Sequence, residues 1–366
     1  MGEIPHPSKY INDRHVAAIR SSAVEAEQLG MLNEAQLTVA YSQKWFRLLV
    51  PEVYGGKQIS LPDLVRLQEA ISWTDGSTGW VVTLCSGAGW FGGFIDPDAA
   101  GEIFATENVC LAGSGAVSGT AEIIESGYRL NGTWNYASGA HHATHFTANC
   151  AVIRKGTAVL DDDGQPLVLP FVINKKDVIL LPTWKYMGMV ATGSHSFKLE
   201  NVQVSANRCF HIDARYSQIE DKLYHYPFLQ LAEATLAVNL SGMAVHFVDL
   251  CKDIFEEKQH QPKLIATQKA LVWQILDQQT QLLNLARTEL FTSVDTSWEE
   301  TTPEHLREVS RASRVLARLA RVAVDTLYPY CGLKAAAPDT EINRVWRDLH
   351  TAGQHSLLTF LEVPDN

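Results

Sequence analysis

Three histidines crowd into five positions at His141, His142 and His145. A metal ion needs convergent ligands, and no carboxylate or cysteine stands beside this trio, so the sequence assigns no metal site. A loop at a strand end with exposed imidazoles explains them, above all His141. The six cysteines, Cys85, Cys110, Cys150, Cys209, Cys251 and Cys331, lie far apart with no CxxC pair, which reads as reduced thiols and a cytoplasmic protein. Two Gly/Ser-rich stretches, Gly113-Ser114-Gly115 and Gly188 to Ser196, have the flexibility to approach a ligand, although each also suits a β-turn. No GxGxxG and no GxxxxGK[ST] occurs, so neither a dinucleotide-binding Rossmann domain nor a P-loop is expected. The arginines Arg307, Arg311, Arg314, Arg318 and Arg321 form a stripe on one helix, suited to an anionic cofactor tail or to acidic helices elsewhere.

The elements that must hold these residues follow from periodicity. The chain has 366 residues, 46% of them hydrophobic and 19% charged, enough for two to three domains. A net charge of −11 argues against nucleic acid or an anionic membrane as partner. Residues 11 to 105 read as helices, with Ile11–Leu29 and Glu34–Leu49 rich in helix formers and Pro62 near a helix start. Between Asp75 and Asp96 runs an uncharged segment, GSTGWVVTLCSGAGWFGGFI, long enough to span a bilayer. Its glycines and hydroxyl residues favour a buried, closely packed helix instead.

From Val109 to about Asp213 the texture is β. Asn131-Gly132 reads as a type I′ hairpin turn, and Phe146–Arg154, Leu167–Ile173, Val178–Leu181 and Ser196–Val204 read as strands around turns such as Asp161-Asp162-Asp163-Gly164. Helices return from Tyr226. Leu271, Ile275, Leu282 and Leu285 share one face, and Leu306, Val309, Leu316, Leu319, Ala323 and Leu327 lie opposite the arginine stripe. The expected organisation is α+β multidomain, with a helical domain over 1–108, an antiparallel β-barrel over 109–213 and a helical bundle over 214–366.

The order of elements and five strings resemble the acyl-CoA dehydrogenase superfamily of flavoproteins. The strings are Val50-Pro51-Glu52-Val53-Tyr54-Gly55-Gly56, Asp75-Gly76-Ser77-Thr78-Gly79-Trp80, Asn131-Gly132-Thr133-Trp134-Asn135-Tyr136-Ala137-Ser138-Gly139, Gly188-Met189 through Thr192-Gly193-Ser194, and Arg344-Val345-Trp346-Arg347-Asp348. The wording is most similar to the oxygenase branch, which includes p-hydroxyphenylacetate hydroxylases and dibenzothiophene monooxygenases. It shares Ser138-Gly139-Ala140-His141-His142-Ala143, and Trp346-Arg347-Asp348 followed by His355. Where hydroxylases of that branch carry a His two residues before a Trp, this chain has Ala88 before Trp90, and Val190-Ala191 stand in place of an Arg.

That resemblance implies a flavin, FAD or FMN, held between barrel and bundle, usually in a homotetramer. Ser138 would bond the flavin N5 edge, with Ser114, Tyr136, Ala137, Gly139 and Trp184 around the cofactor. Trp90, His142 and Thr192 would face the substrate, a small apolar or aromatic molecule. His355 would project from a bundle helix as general acid or base toward oxygen held as a C4a-(hydro)peroxyflavin. Glu257-Lys258-Gln259-His260-Gln261-Pro262 lacks the arginine with which dehydrogenases clamp FAD, which leaves room for diffusible reduced flavin from a partner reductase. The alternative chemistry, dehydrogenation of an acyl thioester, would need Asp339 or its neighbour Glu341 as base. Asp339 equally reads as an N-cap for Ile342–Leu349. A flavin-binding scaffold without catalysis is the remaining alternative.

Overall fold

The computed structural model describes residues 4–259 and 265–360. Helix starts follow the capping residues. α1 (Asp13–Leu29) begins behind Asn12 and stops at Gly30; α2 (Glu34–Ser42) carries a capping box from Asn33 and Gln36. The helix expected to reach Leu49 ends at Ser42 because Lys44 adopts φ 54 and a 3-10 turn drives Trp45 and Phe46 into the core. Ser60, Asp75 and Asp96 cap α3 (Leu61–Thr74), α4 (Gly76–Trp90) and α5 (Pro97–Phe104). α4 is the uncharged run, buried almost all round as its composition requires.

The middle region holds β1 (Leu111–Ile124), β2 (Gly127–Ala137), β3 (His145–Arg154), β4 (Thr157–Ala158), β5 (Val168–Asn174), β6 (Ile179–Leu181) and β7 (His195–Val204). Their order is β4-β3-β1-β2-β7-β6, with β5 also paired to β3. Two expectations are corrected here. The sheet is open rather than a closed barrel: β5 and β6 do not pair, and β6 is only three residues long before Pro182. It is also not purely antiparallel, since β1 runs parallel to β3. The hairpin forecast at Asn131-Gly132 fails as well. The β1–β2 turn lies at Glu125-Ser126, and β2 continues straight through Asn131-Gly132, where its register with β7 shifts. Sheet partners on both sides override the local turn preference. Gly132 is needed because a Cβ there would lie 2.6 Å from the Gly119 backbone.

Beyond the sheet come α6 (Lys222–His225), α7 (Phe228–Gln259), α8 (Ala266–Glu299), α9 (Pro303–Cys331), α10 (Leu333–Ala336) and α11 (Glu341–Ala352). α7 is long and apolar enough to cross a membrane, yet 89% of its most apolar window is buried inside the protein. It is the core helix against which α3 and α9 pack. Leu271, Leu282 and Leu285 face outward on α8, whereas Leu276, Leu283 and Leu290 fill the core. Among the described residues the apolar side chains form two cores. One runs through the helices of both ends of the chain, and the other lies within the sheet around Trp134, Phe146, Phe171 and Phe197.

Candidate active site

Where β2 ends, the chain turns sharply. Tyr136 takes φ 66 and Gly139 φ 75, conformations that cost a non-glycine residue and that persist where surrounding contacts demand them. A Cβ on Gly139 would stand 2.7 Å from Cys85 Sγ of α4, so sheet and helix touch here through bare backbone. Between these two residues Ser138 is 5% exposed. Its Oγ lies 2.8 Å from Ser194 Oγ, and the Trp80 indole N–H donates to it at 3.2 Å. Ser194 Oγ lies 2.6 Å from Thr192 Oγ1, which donates to the Met189 carbonyl at 2.7 Å.

Met189 is held from both sides. Its carbonyl also accepts from the Trp184 indole N–H at 2.8 Å, and its own N–H donates to the Asp348 carboxylate of α11. Gly188 lies so close that a Cβ would be 2.1 Å from the Arg347 carbonyl oxygen, and Arg347 Nη1 donates to the Met187 carbonyl at 2.6 Å. Gly76, at the start of α4, packs its backbone against Met243 and Asp348. Four of the five strings that carry the resemblance thus meet at one place. Asp348 is fully enclosed, and desolvation, helped by the nearby Asp75 charge, pushes its carboxyl up to about 7.

His355 joins the group by a route the sequence did not show. α11 ends at Ala352, so His355 sits past the helix rather than on it, as the cap of a short 3-10 turn. Its ring meets Trp80 edge to face, with centroids 6.0 Å apart. Burial lowers its pKa, so the ring is neutral at pH 7. Its Nδ1 accepts from the Leu357 N–H at 3.4 Å, which places the ring hydrogen on Nε2. Beside Ser138 stands a half-open aromatic wall: Trp184 and Tyr186 pack at 4.3 Å, and Tyr136 meets Trp184 edge to face at 6.3 Å. The surface clefts bounded by Tyr41 and Arg47, and by Phe255 and Trp273, contain neither Ser138 nor His355.

The remaining forecast residues scatter. Ala137 is buried directly before Ser138. Ser114 lies on β1 where its pairing with β3 slips, and its Oγ accepts the Ala116 N–H at 3.4 Å. Thr192 is 1% exposed with its hydroxyl spent inside the relay, so it supports Ser138 rather than facing a substrate. Trp90 is likewise corrected. Its indole donates to the Leu223 carbonyl at 2.9 Å, and the ring packs among Phe91, Phe94, Tyr224 and Phe228 in the core. His142 keeps a buried Nε2 with no partner, and burial beside His141 and Lys175 pushes its pKa down to about 4.

Asp339 is exposed in a turn, and Thr340, not Asp339, caps α11. Glu341 lies 3.2 Å from His246 Nε2 of α7; that hydrogen bond, against the opposing effect of burial, draws its pKa down to about 2. The arginine stripe is broken: Arg314 turns inward to pair with buried Glu233 at 2.8 Å, and Arg321 donates to the Gly353 carbonyl. Among the described residues no group of three His, Cys, Asp or Glu side chains is placed to hold a metal. His260, Gln261 and Pro262 of the expected FAD-clamp segment lie outside the described residues. Sequence reasoning missed Trp80, Ser194 and Asp348. All three stood unremarked inside the quoted strings.

Residues 234–360 match the family of the acyl-CoA dehydrogenase C-terminal domain. The oxygenase subunit HsaA, a flavin-dependent monooxygenase of Rhodococcus jostii, is 24% identical over 94% of this chain and 92% of its own length. A pigment production hydroxylase from a Rhodococcus species is 29% identical over 85% of this chain and 82% of its own. Among solved structures, XiaF from a Streptomyces species, in complex with FADH2 and glycerol, superimposes with a TM-score of 0.84 at 20% identity, covering 94% of this chain and 90% of that one. Along nearly its whole length the chain is similar in sequence and in fold to flavin-dependent monooxygenases, and its C-terminal third matches the acyl-CoA dehydrogenase family.

Proposed function

We propose that this chain is the oxygenase component of a flavin-dependent monooxygenase, using reduced FMN or FAD to oxygenate a small aromatic molecule. The carrying observation is the junction of Ser138, Trp80 and His355 beside the Tyr136–Trp184–Tyr186 wall. A flavin fits the residues present: a hydroxyl with capacity to spare at the turn, and aromatic faces beside it for a flat ring. When bound, reduced flavin supplies the electrons that place one atom of dioxygen on the substrate and send the other to water. Ser138 would hold the N5 edge, and Trp184, Tyr136 and the backbone at Ala137 and Gly139 would flank the ring.

His355, neutral with its hydrogen on Nε2, would donate and recover a proton near the reacting oxygen. The enclosing Trp80 and the α4 backbone would exclude water. His142, with its free Nε2, is the remaining polar group for substrate contact. A separate reductase would supply the flavin in reduced form. The outward Leu271, Leu282 and Leu285 support a homo-oligomer. Neither candidate base of the dehydrogenase chemistry supports that alternative, since Asp339 faces solvent and Glu341 lies against His246.

The test supplies chemically reduced FMN or FAD anaerobically, then isotopically heavy dioxygen with a panel of phenols and indoles. Label in a hydroxylated product, lost in the His355→Ala and Ser138→Ala variants, is the expected result. Absence of both flavin binding and labelled product would overturn the proposal.

A further inference from the structure

The hydroxyls around Ser138 have their directions set by hydrogen arithmetic. Three oxygen–oxygen contacts run in series: Thr192 Oγ1 to the Met189 carbonyl at 2.7 Å, Ser194 Oγ to Thr192 Oγ1 at 2.6 Å, and Ser138 Oγ to Ser194 Oγ at 2.8 Å. Each contact needs one hydrogen, and three hydroxyl hydrogens exist to fill them. A carbonyl oxygen only accepts, so the Thr192 hydrogen must point at Met189. Thr192 is then the acceptor for Ser194, and Ser194 the acceptor for Ser138. Reversing any step leaves two buried oxygens facing each other with no hydrogen between them, which costs more than a hydrogen bond gains. The other end is fixed as well, because the Trp80 indole N–H, donor only, points at Ser138 Oγ at 3.2 Å. Ser138 therefore spends its only hydrogen inward, and what it has left for a ligand is a lone pair.

A flavin changes character at N5 with its oxidation state. Reduced, N5 carries a hydrogen and donates; oxidised, N5 is a bare acceptor. We propose that Ser194, Thr192 and Trp80 are specificity-determining residues that polarise Ser138 into an acceptor, so that the site selects reduced flavin and rejects the oxidised form. This rests on the flavin reading above and adds the physical basis of the choice. The three residues act through Ser138, and none needs to touch the ring. A matched hydrogen bond set against two opposed lone pairs corresponds to at least about a tenfold difference in affinity.

The experiment is anaerobic titration of the full chain with FMN and with FAD, each oxidised and dithionite-reduced, read by quenching of tryptophan fluorescence and checked by ultrafiltration. The wild type is expected to bind the reduced form at least about ten times more tightly. Ser194→Ala frees the Ser138 hydrogen to point outward, so oxidised flavin should bind severalfold more tightly than in the wild type. Thr192→Val, which removes the acceptor that orients Ser194, should narrow the ratio in the same direction. Ser138→Ala should narrow it from both sides, weakening the reduced form and relieving the opposed lone pairs of the oxidised one. A gain in oxidised-flavin affinity is something a merely loosened site would not produce. If Ser194→Ala and Thr192→Val leave the ratio unchanged, or narrow it only through loss of reduced-flavin binding, the polarity assignment is overturned. If the wild type binds both oxidation states equally, this inference fails while the flavin reading stands. If it binds neither, the flavin reading itself fails and this inference with it.

Discussion

Two buried polar constructions in this molecule do opposite things with their hydrogen-bonding capacity. In the helical core, Arg287 meets Glu69 through paired bonds of 2.8 Å, and Arg314 meets Glu233 at 2.8 Å, with all four side chains shut away from water. Each charge there faces an opposite one, and Ser241 adds a further donor to Glu69. At the end of β2 the groups are neutral hydroxyls, and the chain of bonds ends on an oxygen with one acceptor site unused. Buried charge is tolerated only when paired, so an ion pair is a closed structure. A run of hydroxyls costs little to bury and can end on a free lone pair, which is what a ligand site requires.

The largest expected effect separates the two regions by stability. Glu69→Ala strands the Arg287 guanidinium and should cost about 3–5 kcal/mol in urea unfolding, whereas Ser194→Ala should cost about 1 kcal/mol. Replacing both members, Glu69→Leu with Arg287→Met, should recover most of that loss. Equal costs for Glu69→Ala and Ser194→Ala would erase the distinction.

The second prediction concerns Asp348, the enclosed acid that holds the Met189 N–H beside the relay. Folded, it holds its proton up to about pH 7; unfolded, it releases it near pH 4. The folded chain thus binds the extra proton, and this contribution is fully present below about pH 4 and lost as pH rises through about 7. Asp348→Asn keeps an oxygen for the Met189 N–H and removes the titration. Relative to wild type it should gain about 2–4 kcal/mol between pH 4 and pH 8. A flat difference across that range would show that Asp348 is ionised in the fold.

Gly139→Ala should follow in size, at about 1–3 kcal/mol, because it combines positive φ with a methyl group against Cys85. Trp80→Phe is the smallest: loss of one indole bond to Ser138 should cost about 1 kcal/mol of stability. Its sharper readout is His355, whose imidazole resonances should shift when the ring it meets at 6.0 Å changes.

Much of the framework was legible in the chain. The helices forecast from Ile11, from Glu34 and near Pro62 begin within a residue or two of those places, and so do four of the forecast strands. The misses share one cause. Asn131-Gly132 has turn chemistry but is held straight by β1 and β7. Leu271, Leu282 and Leu285 have helical spacing but face outward, since periodicity defines a stripe without saying what covers it. Arg314 sits in a run of arginines, yet Glu233, on α7, draws it inside. Trp80 and Trp90 lie ten positions apart on one helix, and only their neighbours distinguish a site residue from a core one.

The sequence by itself determined where several helices and strands begin, the acidic balance, and the likeness carried by short strings such as Asn135-Tyr136-Ala137-Ser138-Gly139. It named Ser138 and His355 as residues of interest. Only the tertiary structure decided that they meet through Trp80, that Asp348 clasps Met189 from a helix far along the chain, and that the Ser138 hydroxyl points inward. The reason is physical. Capping and periodicity are settled within a turn or two of chain, whereas the direction of a hydroxyl depends on which donors and acceptors the fold brings to it.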